Sequence, residues 1–299
     1  MHRMISSNAM SQERLEASLD IDQRSAREIV RIIQEQDALV AAAVAAEADR
    51  IAHAIEQIAD RLKHGGRLFY AGAGTSGRIA MLDASELPPT YGIDPSLVRV
   101  LMAGGERAFL HAVEGAEDDE EAAIEAVNAE VNGEDAVVGI AASGTTPYTV
   151  AAIRRANMLG ALTVAVTSNP NSPLASEADI AIAPQTGPEV IMGSSRMKSG
   201  TAQKLVLNTL STGVMIRLGR VYSNLMTDMP ATNEKLRNRA VRMVELAAGV
   251  PRPAAVQAIR DAGGNVKLAA IMARKKMALD DARALLEAHH GNLREVLET

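Results

Sequence analysis

The spacing of apolar positions changes along this chain, and the change predicts helices that alternate with strands. From Asp20 to about His64 the apolar residues recur at helical spacing, which predicts two helices or one bent helix, ended by Gly65-Gly66. Five short β-rich runs then alternate with helical stretches, and they cover residues 67–71, 98–103, 136–142, 161–167 and 179–183. This alternation predicts an α/β fold with a parallel five-stranded sheet flanked by helices on both faces.

The C-terminal part of the chain is helical in pattern. A charged helix from Asn233 to Ala248 is predicted before Pro251-Arg-Pro253, which marks a boundary. Three short helical runs follow, at residues 266–273, 279–288 and 293–297. We therefore expect an arm at residues 1–19, a main domain at 20–250 and a small three-helix bundle at 251–299. Ser7-Asn8-Ala9 resembles a remnant of tag removal, so residues 1–9 are left out of the fold prediction.

Two short loops of glycine and hydroxyl residues each follow an apolar run. The first is Gly72-Ala-Gly-Thr-Ser-Gly77, and the second is Ser143-Gly-Thr-Thr-Pro147. Glycine allows a close backbone approach to an anion, hydroxyls donate hydrogen bonds, and a helix that starts next adds free N–H groups and a positive dipole end. The pair predicts one phosphate pocket, and its candidate residues are Gly74, Thr75, Ser76, Ser143, Gly144, Thr145 and Thr146.

The first loop also fits the spacing G-x-G-x-x-G of a dinucleotide site. That site needs an acidic residue at the end of the second strand, whereas Asp94 precedes that strand and Glu106 is the first acid after it. A second hydroxyl-rich loop is not part of the dinucleotide pattern. A phosphorylated small molecule held between two loops accounts for both loops.

Charge and composition exclude several classes of function. The net charge of −6 gives no overall basic field for nucleic acid or an anionic membrane. Aromatic residues make up 2% of the chain and tryptophan is absent, so base-stacking surfaces are not expected. The sequence contains neither an apolar run of roughly 18 residues nor the apolar core of a signal peptide. We expect a cytoplasmic protein that binds no nucleic acid and no membrane.

A metal site and a nucleophilic serine are not expected either. The chain has no cysteine, which excludes disulfides and thiolate ligands, and none of its six histidines has the spacing of a metal site. Ser143 is not in a nucleophile elbow, because Ala141 stands where that motif has its first glycine. The sequence thus predicts no metal and no cofactor, and acid–base chemistry falls to carboxylates.

Two carboxylates are candidates for that chemistry. Glu86 lies near the end of the helix that starts at the first loop, where Pro88 and Pro89 are expected to stop it. Glu117 lies in an acidic run that also suits the solvated start of a helix. Spacing alone leaves open whether either residue is catalytic or simply an exposed charge.

A third glycine- and hydroxyl-rich segment, Gly193-Ser-Ser-Arg-Met-Lys-Ser-Gly-Thr201, precedes a long apolar helix. No glycine precedes Lys198, so the nucleoside triphosphate P-loop is not met. Arg196 and Lys198 are open to two interpretations. They either approach an anionic substrate or cap the long helix.

Several of these segments together resemble the N-acetylmuramic acid 6-phosphate etherases, a family with a sugar isomerase (SIS) domain. The resemblance runs from about Ser18 to the C-terminus and is carried by residues 70–78, 82–90, 103–108, 113–118 and 193–204. It implies a SIS-type sheet, a C-terminal bundle like ubiquitin-associated domains, and a cytoplasmic homodimer that acts in cell-wall recycling. Leu15 stands where the family usually has Asn.

The resemblance also implies a reaction and roles for the two carboxylates. N-Acetylmuramic acid 6-phosphate and water would give N-acetylglucosamine 6-phosphate and D-lactate, by elimination followed by hydration, without a metal. Glu86 would be the general acid that protonates the departing lactate oxygen, and Glu117 the base at C2. Two alternatives share the phosphate pocket: a phosphosugar-sensing regulator without enzymatic activity, and an aldose–ketose phosphosugar isomerase.

Overall fold

The computed structural model describes residues 13–231 and 233–298. The segment interpreted as a tag remnant, residues 1–9, lies outside them. Part of the expected N-terminal arm lies within them, and it packs on the protein. Ser18 is buried, and its hydroxyl donates to the carbonyl oxygen of Val190 at 2.7 Å.

Five parallel strands form the central sheet, as the sequence predicts, and their order is β2-β1-β3-β4-β5. The strands are β1 (Leu68–Gly72), β2 (Val98–Met102), β3 (Ala136–Ile140), β4 (Leu162–Val166) and β5 (Ile180–Ile182). Every residue of β1, β3 and β4 is buried, as expected for the central strands of a parallel sheet covered on both faces.

The segment from Asp20 to His64 contains three α-helices, so the prediction of two helices or one bent helix is wrong in number. They are α1 (Ala26–Asp37), α2 (Val40–Ala45) and α3 (Ala48–Lys63). The chain turns before α3 at Glu47, whose buried carboxylate accepts hydrogen bonds from the N–H of Ala183 and from Arg50. The predicted stop at Gly65-Gly66 is confirmed, because α3 ends at Lys63.

Helices connect the strands and continue after the sheet. They are α4 (Gly74–Tyr91), α5 (Arg107–Leu110), α6 (Glu120–Glu130), α7 (Pro147–Met158), α8 (Pro173–Glu177) and α9 (Lys198–Arg217). One face of the sheet packs against α6, α7 and α8 through a core that includes Phe69, Val127, Val137, Ile153 and Leu174.

The predicted stop of α4 at its two prolines is wrong, because the helix continues to Tyr91. Pro88 and Pro89 have no backbone N–H to donate, but they lie near the end of the helix. The carbonyl oxygen of Pro88 still accepts from the N–H of Gly92 at 2.9 Å. Gly92 has φ +59°, and its Cα lies too close to the Asp228 carbonyl oxygen to carry a Cβ. The helix therefore ends at a glycine in the left-handed conformation.

The C-terminal part is a short β-hairpin followed by five helices. They are β6 (Val221–Tyr222), β7 (Leu225–Met226), α10 (Glu234–Ala248), α11 (Arg252–Asp261), α12 (Val266–Lys275), α13 (Leu279–Ala288) and α14 (Leu293–Glu298). The sequence predicts α10 and the last three helices. These patterns predict neither the hairpin nor α11. Pro251 precedes α11 and Pro253 lies in its first turn, so these prolines start a helix as well as mark a break.

The described residues divide into two compact units. One unit combines the chain up to Ala84 with Ser96–Ser211, and the other combines Ser85–Pro95 with the chain from Thr212 onward. This division differs from the expected boundary at residue 250. The reason is packing, since Ala240 and Val244 of α10 lie in one core with Ala269, Leu293 and Val296 of the later helices.

Candidate functional site

The two predicted phosphate loops leave neighbouring strands at the same edge of the sheet. Gly72 at the end of β1 pairs with Ile140 at the end of β3. Because β1 lies between β2 and β3, the chain crosses to opposite sides after these strands. Ligands of open parallel sheets bind at such a switch point, outside the carboxyl ends of the strands.

The first loop brings the start of α4 close to the strand end. Gly77 touches the Gly72 carbonyl oxygen and Met102 so closely that a Cβ would collide with both, and Gly74 has φ +53°. Thr75 is half-buried and Ser76 is buried. Among the described residues, none supplies an acceptor to the N–H groups of Gly74, Thr75 and Ser76. These three donors are the groups that bind an anion at a helix start.

The second loop is organised by its own hydroxyls. The Oγ of Ser143 accepts hydrogen bonds from Thr145, from its N–H at 3.2 Å and from its hydroxyl at 2.9 Å. Gly144 has φ +68°, and a Cβ there would collide with the hydroxyls of Ser172 and Thr167. Thr146 precedes α7, and its side chain makes no capping hydrogen bond. The first N–H groups of α7, which have no acceptor within the helix, therefore also lie at the end of this loop.

Glu117 lies on a cavity that the first loop also lines. The cavity has a volume of about 330 Å³, and its lining includes Ala73, Gly74, Arg78 and Glu117. Glu117 is exposed in the single turn Ala116–Asp118, before α6. The helix cap is its neighbour Asp119, whose carboxylate accepts from the N–H of Ala122 at 2.9 Å. Glu117 is therefore not used as the cap of α6.

Arg78 fixes the wall of this cavity. Its guanidinium donates to the carbonyl oxygens of Phe109 at 3.1 Å, Ala108 at 2.9 Å and His111 at 3.4 Å. These carbonyls lie at the C-terminal end of α5, where a cation is favoured. Arg78 thus connects α4 to the segment that leads to Glu117.

Glu86 is exposed on α4, in the stretch Ser85–Pro95 that belongs to the second compact unit. The same helix starts at the first phosphate loop. Glu86 follows a buried carboxylate, Asp83, by one turn of α4.

Asp83 is held by three donors. They are the hydroxyl of Tyr70 at 2.8 Å, the amide of Asn208 at 2.5 Å and the hydroxyl of Ser211 at 3.0 Å. Burial, together with the charge of Asp83, raises the pKa of Tyr70 well above its usual value, so the phenol remains a donor. This network connects β1, α4 and α9, and no local sequence pattern predicts it.

The third glycine- and hydroxyl-rich segment begins α9, and a carboxylate occupies its start. The two oxygens of Glu189 accept from the N–H groups of Lys198 and Ser199, each at 3.0 Å, and Glu189 is fully buried. The ammonium of Lys198 is buried as well and donates to Gln36 at 3.0 Å. Burial lowers the pKa of Lys198, although Glu189 and Asp37 partly offset the shift. Lys198 is thus part of the interior, whereas Arg196 is exposed.

Gln203 is a candidate that sequence reasoning missed. It lies on α9 and is 2% exposed, and its Oε1 accepts from the hydroxyl of Ser76 in the first loop at 3.0 Å. The two residues are 127 positions apart in the sequence. Gln203 does belong to the segment 193–204 that carries the family resemblance, but nothing in the sequence names its partner.

Residues 13–231 and 233–298 contain no group of three or more His, Cys, Asp and Glu side chains that could hold a metal ion. In the same part of the chain, no helix has the length and apolar character needed to cross a membrane.

Comparison with known proteins identifies the family. Residues 50–157 match the family model of the glucokinase regulatory protein N-terminal SIS domain, and residues 112–212 match that of the SIS domain. The phosphoheptose isomerase of Francisella tularensis has the same fold, with a TM-score of 0.53 at 21% identity over 64% of this chain and 100% of that one.

Much more similar proteins span nearly the whole chain. The N-acetylmuramic acid 6-phosphate etherase of Symbiobacterium thermophilum is 61% identical over 88% of this chain and 87% of its own length. The N-acetylmuramic acid 6-phosphate etherase of Salmonella typhi is 50% identical over 97% of this chain and 98% of its own length. The resemblance seen in the sequence is thereby confirmed, and the chain belongs to the N-acetylmuramic acid 6-phosphate etherase family.

Proposed function

We propose that this protein is an etherase that cleaves the D-lactyl ether of N-acetylmuramic acid 6-phosphate. The products would be N-acetylglucosamine 6-phosphate and D-lactate, and the reaction class would be that of a carbon–oxygen lyase. The observation that carries the proposal is the shared cavity. Gly74 of the phosphate loop and the free carboxylate of Glu117 line the same 330 Å³ space in a member of this family.

The substrate phosphate would bind between the two loops. The unpartnered N–H groups at the start of α4 and the hydroxyls of Thr75 and Ser76 would come from the first loop. Ser143, Gly144, Thr145 and Thr146 of the second loop would complete the pocket. Helix starts and hydroxyls together favour a dianion without any lysine or arginine, which suits a chain of net charge −6.

Acid and base roles would be divided between Glu117 and Glu86. In the open-chain aldehyde the C2 hydrogen is acidic, and Glu117 as a carboxylate would remove it. The C3–oxygen bond then breaks, and Glu86 in its protonated form would give its proton to the departing lactate oxygen. Water next adds hydroxyl to C3 and a proton to C2 of the unsaturated aldehyde. Each role is typically worth about 10²–10⁴-fold in rate.

The setting follows from the family. We propose that the protein acts in the cytoplasm as a homodimer in cell-wall recycling, and that it needs no cofactor.

The direct test is incubation with N-acetylmuramic acid 6-phosphate in deuterated water containing EDTA. Release of lactate with deuterium at C2 of the product would support elimination and hydration. Tight binding without lactate would instead favour a phosphosugar sensor. Formation of a ketose phosphate would favour an isomerase, and absence of binding would contradict the proposal.

Two substitutions separate the acid from the base. Glu117→Gln should abolish exchange of the C2 hydrogen and lactate release together. Glu86→Gln should block lactate release while the unreacted substrate still exchanges its C2 hydrogen. Glu121→Gln is the matched control, because Glu121 is exposed in the same acidic run and does not line the cavity. Exchange lost in Glu86→Gln and retained in Glu117→Gln would reverse the roles.

A further inference from the structure

The polar contact between Gln203 and Ser76 joins α9 to the first phosphate loop. The Ser76 hydroxyl donates to Gln203 Oε1 at 3.0 Å, and both side chains are buried. Gln203 therefore touches the loop from the protein interior. It is not one of the residues of either loop.

The helix that carries Gln203 is anchored at its start. Glu189 caps the start of α9 through two backbone hydrogen bonds. In the same turn of α9, Gly200 lies against the first two turns of α4, where a Cβ would meet Thr75 at 3.8 Å and Ile79 at 3.5 Å. The two helix starts therefore pack side by side, and Gln203 holds Ser76 from a fixed position.

The amide of Gln203 is only half satisfied. Among the described residues, its buried Nε2 has no hydrogen-bond partner. A buried donor without a partner is unfavourable, so fold stability alone would be served as well by an apolar side chain of the same length. An amide is, however, a neutral group that offers either an acceptor or a donor to Ser76.

We propose that Gln203 is a positioning residue for the substrate phosphate, acting through Ser76; the inference rests on the proposed phosphate pocket. With the pocket empty, Oε1 accepts the Ser76 proton. Half a turn of the amide brings Nε2 to Ser76 instead, so that the amide donates to Oγ and the Ser76 hydroxyl donates to a phosphate oxygen. Because the amide is uncharged, it orients the hydroxyl without repelling the dianion.

The test is a double-mutant cycle read by calorimetric binding of inorganic phosphate and by KM and kcat for lactate release. Ser76→Ala and Gln203→Met should each weaken phosphate binding by about tenfold, the typical value of a hydrogen bond to a charged group. The double variant should bind no more weakly than either single variant, and KM should rise while kcat changes little. Multiplied effects in the double variant, or wild-type affinity in Gln203→Met, would overturn the proposal.

A second variant remains decisive if Gln203→Met fails to fold. Gln203→Glu keeps the shape and the acceptor, but its ionised form cannot donate to Ser76 and repels an anion. Its phosphate affinity relative to wild type, measured at each pH, should therefore fall as the pH rises and the carboxyl ionises. A ratio that stays constant with pH would overturn the proposal.

The control is Thr209→Ala on the same helix. Thr209 is exposed and donates within α9, to Leu205 at 2.7 Å, so this variant should bind phosphate as wild type does. Failure of the proposed function has a different signature. In that case the wild-type protein itself would neither bind phosphate nor release lactate.

Discussion

The starts of α4 and α9 are built from the same residue types, but within the described part of the chain only the start of α9 is capped by a carboxylate of the protein. Both follow segments of glycine and hydroxyl residues, and the two first turns pack against each other. At α9 the carboxylate of Glu189 takes the N–H groups of Lys198 and Ser199. At α4 the corresponding N–H groups have no acceptor among the described residues. A glycine- and hydroxyl-rich helix start is thus open to an external anion only where the protein supplies none of its own.

Removal of the internal anion should have the largest effect on stability. Glu189→Ala leaves two buried N–H groups and the Ser199 hydroxyl without their acceptor, which should cost about 2–5 kcal/mol of unfolding free energy. Urea denaturation measures this cost. Asn233→Ala is the control, because it removes an exposed cap of α10 and should cost about 1 kcal/mol. Equal losses in the two variants would contradict the structural role of Glu189.

A methyl group at the open helix start should impair the site. In Gly77→Ala the new Cβ would collide with Met102 and lie 2.9 Å from the Gly72 carbonyl oxygen, so the loop must shift. We expect a loss of about 1–3 kcal/mol in stability, the usual range for overpacking. Phosphate affinity should fall by a larger factor than in any variant that removes a single hydroxyl group. Unchanged binding of inorganic phosphate would argue that the first loop is not the phosphate site.

The same change at the capped start should be nearly harmless. A Cβ on Gly200 would make only ordinary contacts, the nearest at 3.5 Å. Because alanine favours a helix over glycine, Gly200→Ala should leave stability unchanged or raise it by up to about 1 kcal/mol. Thermal unfolding and phosphate binding check this directly. A loss as large as that of Gly77→Ala would remove the distinction between the two helix starts.

The smallest effect should come from the buried cation at the capped start. Burial lowers the pKa of Lys198 in the folded protein below 10.5, the ordinary value that applies in the unfolded chain. At a pH between the folded-state and unfolded-state pKa values, the unfolded chain binds the proton more tightly. The free energy of unfolding should therefore rise with pH in that window, and Lys198→Met should lack this rise. Urea unfolding at several alkaline pH values, up to about pH 10, measures the difference between the two slopes. Parallel slopes would contradict a destabilised ammonium.

Much of the fold could be read from local patterns. Each of the five strands is a short apolar run between turn residues, and each is observed within one or two residues of its predicted position. The errors lie where tertiary contacts override such patterns. Helix α4 passes through Pro88 and Pro89, and it ends instead where Gly92 meets Asp228.

The site was only partly readable for the same reason. Thr75 and Ser143 stood out because glycine–hydroxyl loops after strands have a recognisable composition. Glu86 and Glu117 came from the family resemblance, since an exposed glutamate has no local signature. Gln203 and Glu189 could not be found, because their roles depend on which distant backbone or hydroxyl they contact in the fold.

Arg78 links the two ends of the cavity. It lies on α4, whose N-terminus is the proposed phosphate site, and it donates to the carbonyl oxygens of Ala108 and Phe109, in the segment that leads to Glu117. Arg78 thus ties the helix that carries the proposed anion-binding groups to the segment that leads to the proposed base. With its phosphate bound at the helix start, the length of the sugar's carbon chain would decide which carbon reaches the carboxylate of Glu117. Selectivity between a hexose 6-phosphate and a pentose 5-phosphate would then arise from length, before any contact with the lactyl group.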